Sequence, residues 1–248
     1  MHTSVKIMDI DVDILTSDTF IEKIDSYLSD AHLNVIFFIS TELLNMAMED
    51  EEYRGIIEKA TLLLPGEEPL LTAHHVDVLE AGGIVVSCKS FGKVLENLNK
   101  QDRSIYILAK SEKEVLELQR YCMRMQRNIR LTGSSVYGDD VEDAAIVNDI
   151  NSNSPDMLLV DLPLGRQEKW IVEHVPLLNS KLCIAIGGVA GLILAEGKKT
   201  PDWVKRFHLE WFFQILVREQ RVKKGFRARI FRKRIVQYNN QMEDEENT

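Results

Sequence analysis

Short apolar runs alternate with stretches of helix-spaced apolar positions along most of the chain. The runs predict strands at Val5–Met8, Ile10–Ile14, Val35–Ser40, Thr61–Leu64, Ile84–Cys88, Ile105–Ala109, Ile129–Thr132, Met157–Val160 and Leu182–Ile186. Each is short, rich in β-branched or large apolar residues, and bounded by polar or turn-forming ones. Between them the spacing predicts helices at Ser17–Ser29, Glu42–Ala47, Glu51–Lys59, Phe91–Asn99, Glu112–Arg127, Val141–Asn151 and Gln167–His174. Ser17 is read as an N-cap, with Phe20, Ile21, Ile24 and Leu28 on one buried face; Ser111 is read as the cap of a longer helix that turns Val115, Leu116, Leu118 and Met123 inward. Strands alternating with helices argue for an α/β fold, a mostly parallel and Rossmann-like sheet with helices on both faces. Val5–Ile14 is compatible with a small antiparallel ribbon at one edge.

The pattern changes after Thr200. Phe212, Leu216, Phe226 and Ile230 fall near helical spacing with basic residues between them. Residues 1–200 are therefore read as the α/β core, 201–236 as a basic amphipathic helical appendage and 237–248 as an acidic, disordered tail. From Arg218 to Arg234 there are nine basic residues and one acid, Glu219, in a chain of net charge −9. An acidic body with a basic arm points to a polyanionic partner. An anionic membrane surface is the favoured one, because basic residues near such a leaflet gain on the order of 1 kcal/mol each and Phe226, Ile230 and Phe231 offer insertable surface. Arg221, Lys223, Lys224, Arg227, Arg229 and Arg232 are its candidate contacts. A solvated, salt-bridged helix face is the simpler alternative. No nucleic-acid motif accompanies the charge, so no nucleic acid is expected. No apolar run approaches the ~20 residues needed to span a bilayer, and the N-terminus lacks the basic start and apolar core of a signal peptide. The three cysteines, Cys88, Cys122 and Cys183, are odd in number and widely spaced, as buried thiols in a reducing cytosol would be.

The most informative stretch runs from Ser154 to Trp170, SPDMLLVDLPLGRQEKW. It reads as a buried parallel strand, a tight turn at Pro163 and Gly165, and the first turn of a helix. Ligands in open α/β sheets sit at such strand ends, where helix N-termini present free N–H groups. Gly187 and Gly188 follow another strand and permit close backbone approach to a ligand, or simply make a strand-to-helix turn. The adjacent His74 and His75 would point about 100° apart on a helix and make a poor chelate, so no metal site is expected.

PDMLLV before QEKW, the Gly187-Gly188 pair, and Thr200-Pro201-Asp202-Trp203 leading to Leu209-Glu210-Trp211 occur in an order that resembles the WecG/TagA/CpsF glycosyltransferase family. The similarity begins at VKIMDIDVDILT and spans nearly the whole chain. It implies transfer of an N-acetylhexosamine from a UDP-sugar to a polyprenyl-diphosphate-linked acceptor at the cytoplasmic membrane face, with no required metal or other cofactor. By that resemblance Gln167 and Glu168 match the family's glutamine-glutamate pair and contact the donor, Lys198 with Lys199 meets phosphates, and Tyr137 faces the uracil. The chain departs from the family where chemistry is carried. Its T-x-N positions hold Phe38 and Ser40. The catalytic aspartate of its D-G pair aligns with Gly66 and the glycine with Glu67. An arginine aligns with Val85, and the aspartate after the double glycine with Gly191. The G-x-P-x-Q-E turn is altered to Pro163-Leu164-Gly165-Arg166-Gln167-Glu168. Phe38 reads as a buried strand residue that also fills space where the family keeps polar groups. Glu67 or Glu68 is the candidate replacement base, against the simpler reading of an exposed acidic loop. Two functions therefore stand: an altered transferase of cell-surface polysaccharide synthesis, or a pseudoenzyme that acts as a membrane-associated scaffold or regulator of an active transferase; a second copy of the chain or an active transferase is the expected protein partner.

Overall fold

The computed structural model describes residues 2–67, 70–71, 79–80, 83–84, 88–138 and 140–195. All but Ala195 belong to the first of two compact units, residues 1–194 and 195–248, into which the chain divides. The predicted helical appendage, the acidic tail, Glu68, the His74-His75 pair, Val85, Lys198 and the six basic residues from Arg221 to Arg232 lie outside the described residues.

The expected α/β class is observed. Strands β3 (Asn34–Ile39), β4 (Leu62–Pro65), β7 (Ser104–Ala109), β8 (Arg130–Val136), β9 (Met157–Asp161) and β10 (Leu182–Ala185) form one sheet in the order β4-β3-β10-β9-β7-β8. All its pairings are parallel, so every strand ends at the same edge. The inner strands are buried from end to end, which is why they read as unbroken apolar runs. Alternation sends Ile36, Phe38, Ile107, Leu159 and Ile184 to one face. There they form a core with α1 (Ser17–Ser29), α4 (Phe91–Lys100), α5 (Glu112–Met125) and α8 (Ala190–Ala195). The remaining strand residues face the other way. On that side α2 (Thr41–Glu49), α3 (Glu51–Ile57), α6 (Asp143–Asn153) and α7 (Arg166–His174) bury Leu44, Tyr53, Ile146 and Trp170.

The N-terminal ribbon is present as β1 (His2–Ile7) and β2 (Ile10–Leu15), antiparallel around a tight turn in which Met8 and Asp9 both have positive φ (50° and 61°). It lies against β4, where the Asp13 carboxylate accepts the Leu63 amide at 3.0 Å. Two-residue strands β5 (Leu79–Glu80) and β6 (Gly83–Ile84) form a separate antiparallel pair. Among the described residues no helix is long and apolar enough to cross a membrane.

Several local expectations are corrected. Thr16, not Ser17, caps α1: its hydroxyl accepts the Thr19 amide, and Ser17 is the first helical residue. In α5 Ser111 caps as expected, but Leu116 and Met123 are 48% and 46% exposed; Tyr121 and Cys122 complete the buried face with Val115 and Leu118. Of the predicted strand Ile84–Cys88, Ile84 belongs to the described strand Gly83–Ile84 and Cys88 begins a 3-10 turn, while 85–87 lie outside the described residues. β8 runs on to Val136 through Gly133, Ser134 and Ser135, because an edge strand tolerates polar residues that an inner strand cannot bury. All three cysteines are buried thiols, and burial pushes the Cys122 thiol up to about 12.

Candidate active site

The parallel strands deliver their loops to one edge, and the turn after β9 organises it. Pro163 and Leu164 lead to Gly165, whose φ of +83° an L side chain rarely adopts. The chain then enters α7. The Gly165 amide donates to Glu168 Oε2 at 2.8 Å, so Glu168 reaches back to satisfy one of the orphan donors at the start of its own helix. The other donor on that oxygen is the Tyr53 hydroxyl of α3, at 2.9 Å. Burial, and then the Glu168 charge, push the Tyr53 hydroxyl well above its ordinary range, which keeps it protonated as the donor.

Gln167 lies on the inside. It is 2% exposed and Glu168 is 0% exposed, so neither belongs to a solvated first turn. Gln167 Oε1 accepts the amides of Gly187 (2.8 Å) and Leu162 (3.3 Å), and its Nε2 donates to Glu168 Oε1 at 2.9 Å. One carboxamide thus ties the loop after β10 to the loop after β9. The glycines are there for the same packing: a Cβ on Gly187 would run into the Leu162 carbonyl and lie 2.8 Å from Gln167 Oε1, and one on Gly188 would lie 2.8 Å from Leu164 Cδ2 and 3.1 Å from Ser40 Oγ.

The loops after β3 and β4 join this cluster. Ser40 Oγ caps α2 through the Leu43 amide at 3.1 Å. Glu67 is half-buried, and its Oε2 accepts the Thr41 hydroxyl at 3.1 Å and the Thr41 amide at 3.5 Å, so it is not a free acidic loop. Gly66 donates to the Ile39 carbonyl at 2.8 Å. A Cβ at Gly66 would come within 2.6 Å of Val189 Cγ1 and 2.8 Å of that carbonyl. Phe38 is buried in the core on the α1 side of the sheet. Gly191 is exposed on α8 with open space around it.

The other half of the edge is charged. The Arg166 guanidinium lies 5.5 Å over the Tyr137 ring, placing Tyr137 beside the start of α7. Lys110, just past β7, pairs with Glu114 at 2.9 Å, and Ser111 Oγ meets the same carboxylate at 3.0 Å. Asp161 stands near Glu114 and Lys110, at the last position of β9. It is 7% exposed, and its side chain makes no hydrogen bond or ion pair with any described residue. Burial first, then the Glu114 charge, raise its carboxyl to about 6, with Lys110 opposing. Sequence reasoning passed over Asp161. The available signal was an acid ending an otherwise apolar buried run.

The edge therefore brings together Gln167, Glu168, Gly187 and Gly188, and gathers Glu67 through Thr41 and Ser40; Tyr137 meets it through Arg166 at the start of α7. A separate surface groove between the outer faces of α3 and α7 is lined by Glu51, Gly55, Lys59, Lys169 and Glu173 and takes in none of these residues.

A family model described as the glycosyl transferase WecG/TagA/CpsF family matches residues 5–240 of the chain. Relatives named N-acetylglucosaminyldiphosphoundecaprenol N-acetyl-beta-D-mannosaminyltransferase come from Staphylococcus aureus. Those of strains MRSA252 and NCTC 8325 are each 22% identical over 221 residues, covering 88% of this chain and 86% of theirs.

Proposed function

Because the chain belongs to the WecG/TagA/CpsF glycosyltransferase family, we propose that it transfers an N-acetylhexosamine from a UDP-sugar to a polyprenyl-diphosphate-linked sugar, at the inner face of the cell membrane. The observation that carries this reading is the strand-edge cluster: the loops after β3, β4, β9 and β10 are locked to one another around Gln167, Glu168 and the Gly187-Gly188 pair. Glycosyl transfer depends on holding a donor diphosphate and an acceptor hydroxyl in one geometry, and a rigid edge supplies that positioning. Gln167 and Glu168 act here by shaping the donor side of the cleft, since their oxygens already hold internal partners. Tyr137, with Arg166 against its ring, is the proposed uracil contact. Lys198 is the proposed phosphate contact, and Arg221, Lys223, Lys224, Arg227, Arg229 and Arg232 the proposed contacts to an anionic leaflet. Glu67, held by Thr41, is assigned to positioning rather than proton transfer.

A specific observation favours the second reading, a membrane-associated scaffold for an active transferase. Position 66, where the resemblance expects the family's catalytic aspartate, leaves no room for a side chain. Titration calorimetry with UDP and UDP-N-acetylhexosamines, followed by product detection with a lipid-linked acceptor, separates the two. Donor binding with product supports the transferase. Donor binding without product, or no donor binding, removes it in favour of the scaffold.

A further inference from the structure

We propose that Asp161 is the general base of the transfer reaction, occupying the end of β9 in place of a carboxylate at position 66. The assignment rests on the transferase reading above and adds to it the group that takes the acceptor proton. Transfer forms a bond from the acceptor hydroxyl oxygen to the donor's anomeric carbon. The bond from that carbon to the diphosphate oxygen breaks, UDP leaves with the electron pair, and the hydroxyl proton passes to an Asp161 carboxylate oxygen.

Geometry singles Asp161 out. β9 is an inner strand, flanked by β10 and β7, and Asp161 is its last residue, paired with Ala109. Alternation puts its side chain on the face of Met157 and Leu159, under α5. The Ile186 amide binds the preceding Val160 carbonyl at 2.8 Å, which brings the loop carrying Gly187 and Gly188 alongside. The Asp161 side chain makes no hydrogen bond with any described residue, and its oxygens are not among the fully buried polar atoms, so they face the strand edge rather than a sealed core. Its oxygens are available to a hydroxyl that enters from the strand edge. Glu67 differs, because one of its oxygens already accepts from Thr41.

The surroundings tune it for the task. α5 contributes Glu114 and Glu117, and the segment after β7 contributes Lys110. Burial and the two glutamates hold the carboxyl up near 6. It is therefore ionised at neutral pH yet basic enough to accept a proton, the compromise that general-base catalysis favours.

The test uses the full chain, a UDP-N-acetylhexosamine and a short-chain polyprenyl-diphosphate-linked sugar. Asp161→Asn is expected to lower kcat by about 10²–10⁴ while UDP affinity, read by calorimetry, stays within about threefold. Asp161→Glu is expected to recover part of the loss. In the wild type kcat is expected to fall below about pH 6, as Asp161 takes up its proton. Glu114→Gln, by removing a raising charge, is expected to move that limb to lower pH, which a purely structural role would not do. Wild-type kcat in Asp161→Asn, or a wild-type kcat flat from about pH 5 to 8, overturns the assignment and leaves the transferase reading standing. A wild-type chain that binds donor and forms no product overturns both.

Discussion

At the scale of single residues, the two polar side chains at the start of α7 hold the edge together from the inside. Gln167→Ala leaves the Leu162 and Gly187 amides without an acceptor. Each such amide costs about 1–3 kcal/mol when buried, so a lowered urea midpoint is expected at equilibrium. Gln167→Glu keeps an acceptor but sets a second carboxylate against Glu168, and is expected to destabilise as well. A midpoint unchanged in both variants would remove Gln167 from this role. Asp161 has the opposite sign. Its folded-state carboxyl titrates near 6, above the ordinary 3.8. A raised carboxyl favours the fold below the unfolded value, and that contribution is lost as pH rises through 6. At neutral pH the group therefore costs the fold on the order of 2–3 kcal/mol. Asp161→Asn is expected to raise the melting temperature at pH 7–8, with the gain shrinking as pH falls toward 3.8; thermal unfolding across that range reads it directly. The same substitution is thus expected to stabilise the protein and silence it, as befits a site that stores strain for function.

At the scale of elements, the glycines show why the edge resists simple repair. Gly187→Ala drives a methyl into the Leu162 carbonyl. It is expected to destabilise by about 1–3 kcal/mol through overpacking, measured by denaturant unfolding. Gly66→Asp, which restores the residue the family resemblance expects, meets Val189 Cγ1 and the Ile39 carbonyl. The expected outcome is a lower melting temperature with no gain in transfer; increased kcat in this variant would contradict the packing account. The elements themselves were largely legible in the sequence, because buried parallel strands are unbroken apolar runs and the long helices carry clear buried faces. What escaped has physical causes. Leu116 and Met123 look apolar enough for a core, yet they sit on the solvent side of α5, where helical spacing selects Tyr121 and Cys122 instead. The second half of β8, beyond the predicted Ile129–Thr132, hides behind Gly133, Ser134 and Ser135 because an edge strand needs no apolar run. The six described residues of α8 are too few for periodicity to register. At the candidate site the turn after β9 is legible in the sequence as a strand-to-helix junction, but the inward hydrogen bonds of Gln167 depend on the Leu162 and Gly187 amides that the fold brings to it. Asp161 carried no motif at all.

At the scale of the whole molecule, an acidic chain carries a basic segment from Arg218 to Arg234. A protein that acts on a lipid-linked acceptor gains from residence at the membrane surface, and the sequence of this segment fits an anionic leaflet better than a neutral one. Sedimentation with vesicles containing anionic lipid is expected to capture the full chain at low salt, to weaken as salt screens the charge, and to fail after truncation before Arg218. Equal capture by the truncated chain would place membrane affinity elsewhere. Taken with the strand-edge cluster, this segment supports the proposal of a transferase that works on a lipid-linked acceptor at a membrane surface. The most direct test is mass spectrometry of the lipid-linked acceptor after incubation with the full chain and a UDP-N-acetylhexosamine at neutral pH. The account predicts an acceptor heavier by one N-acetylhexosamine residue, formed by the wild type and nearly absent with Asp161→Asn; an acceptor of unchanged mass in the presence of the wild type would contradict it.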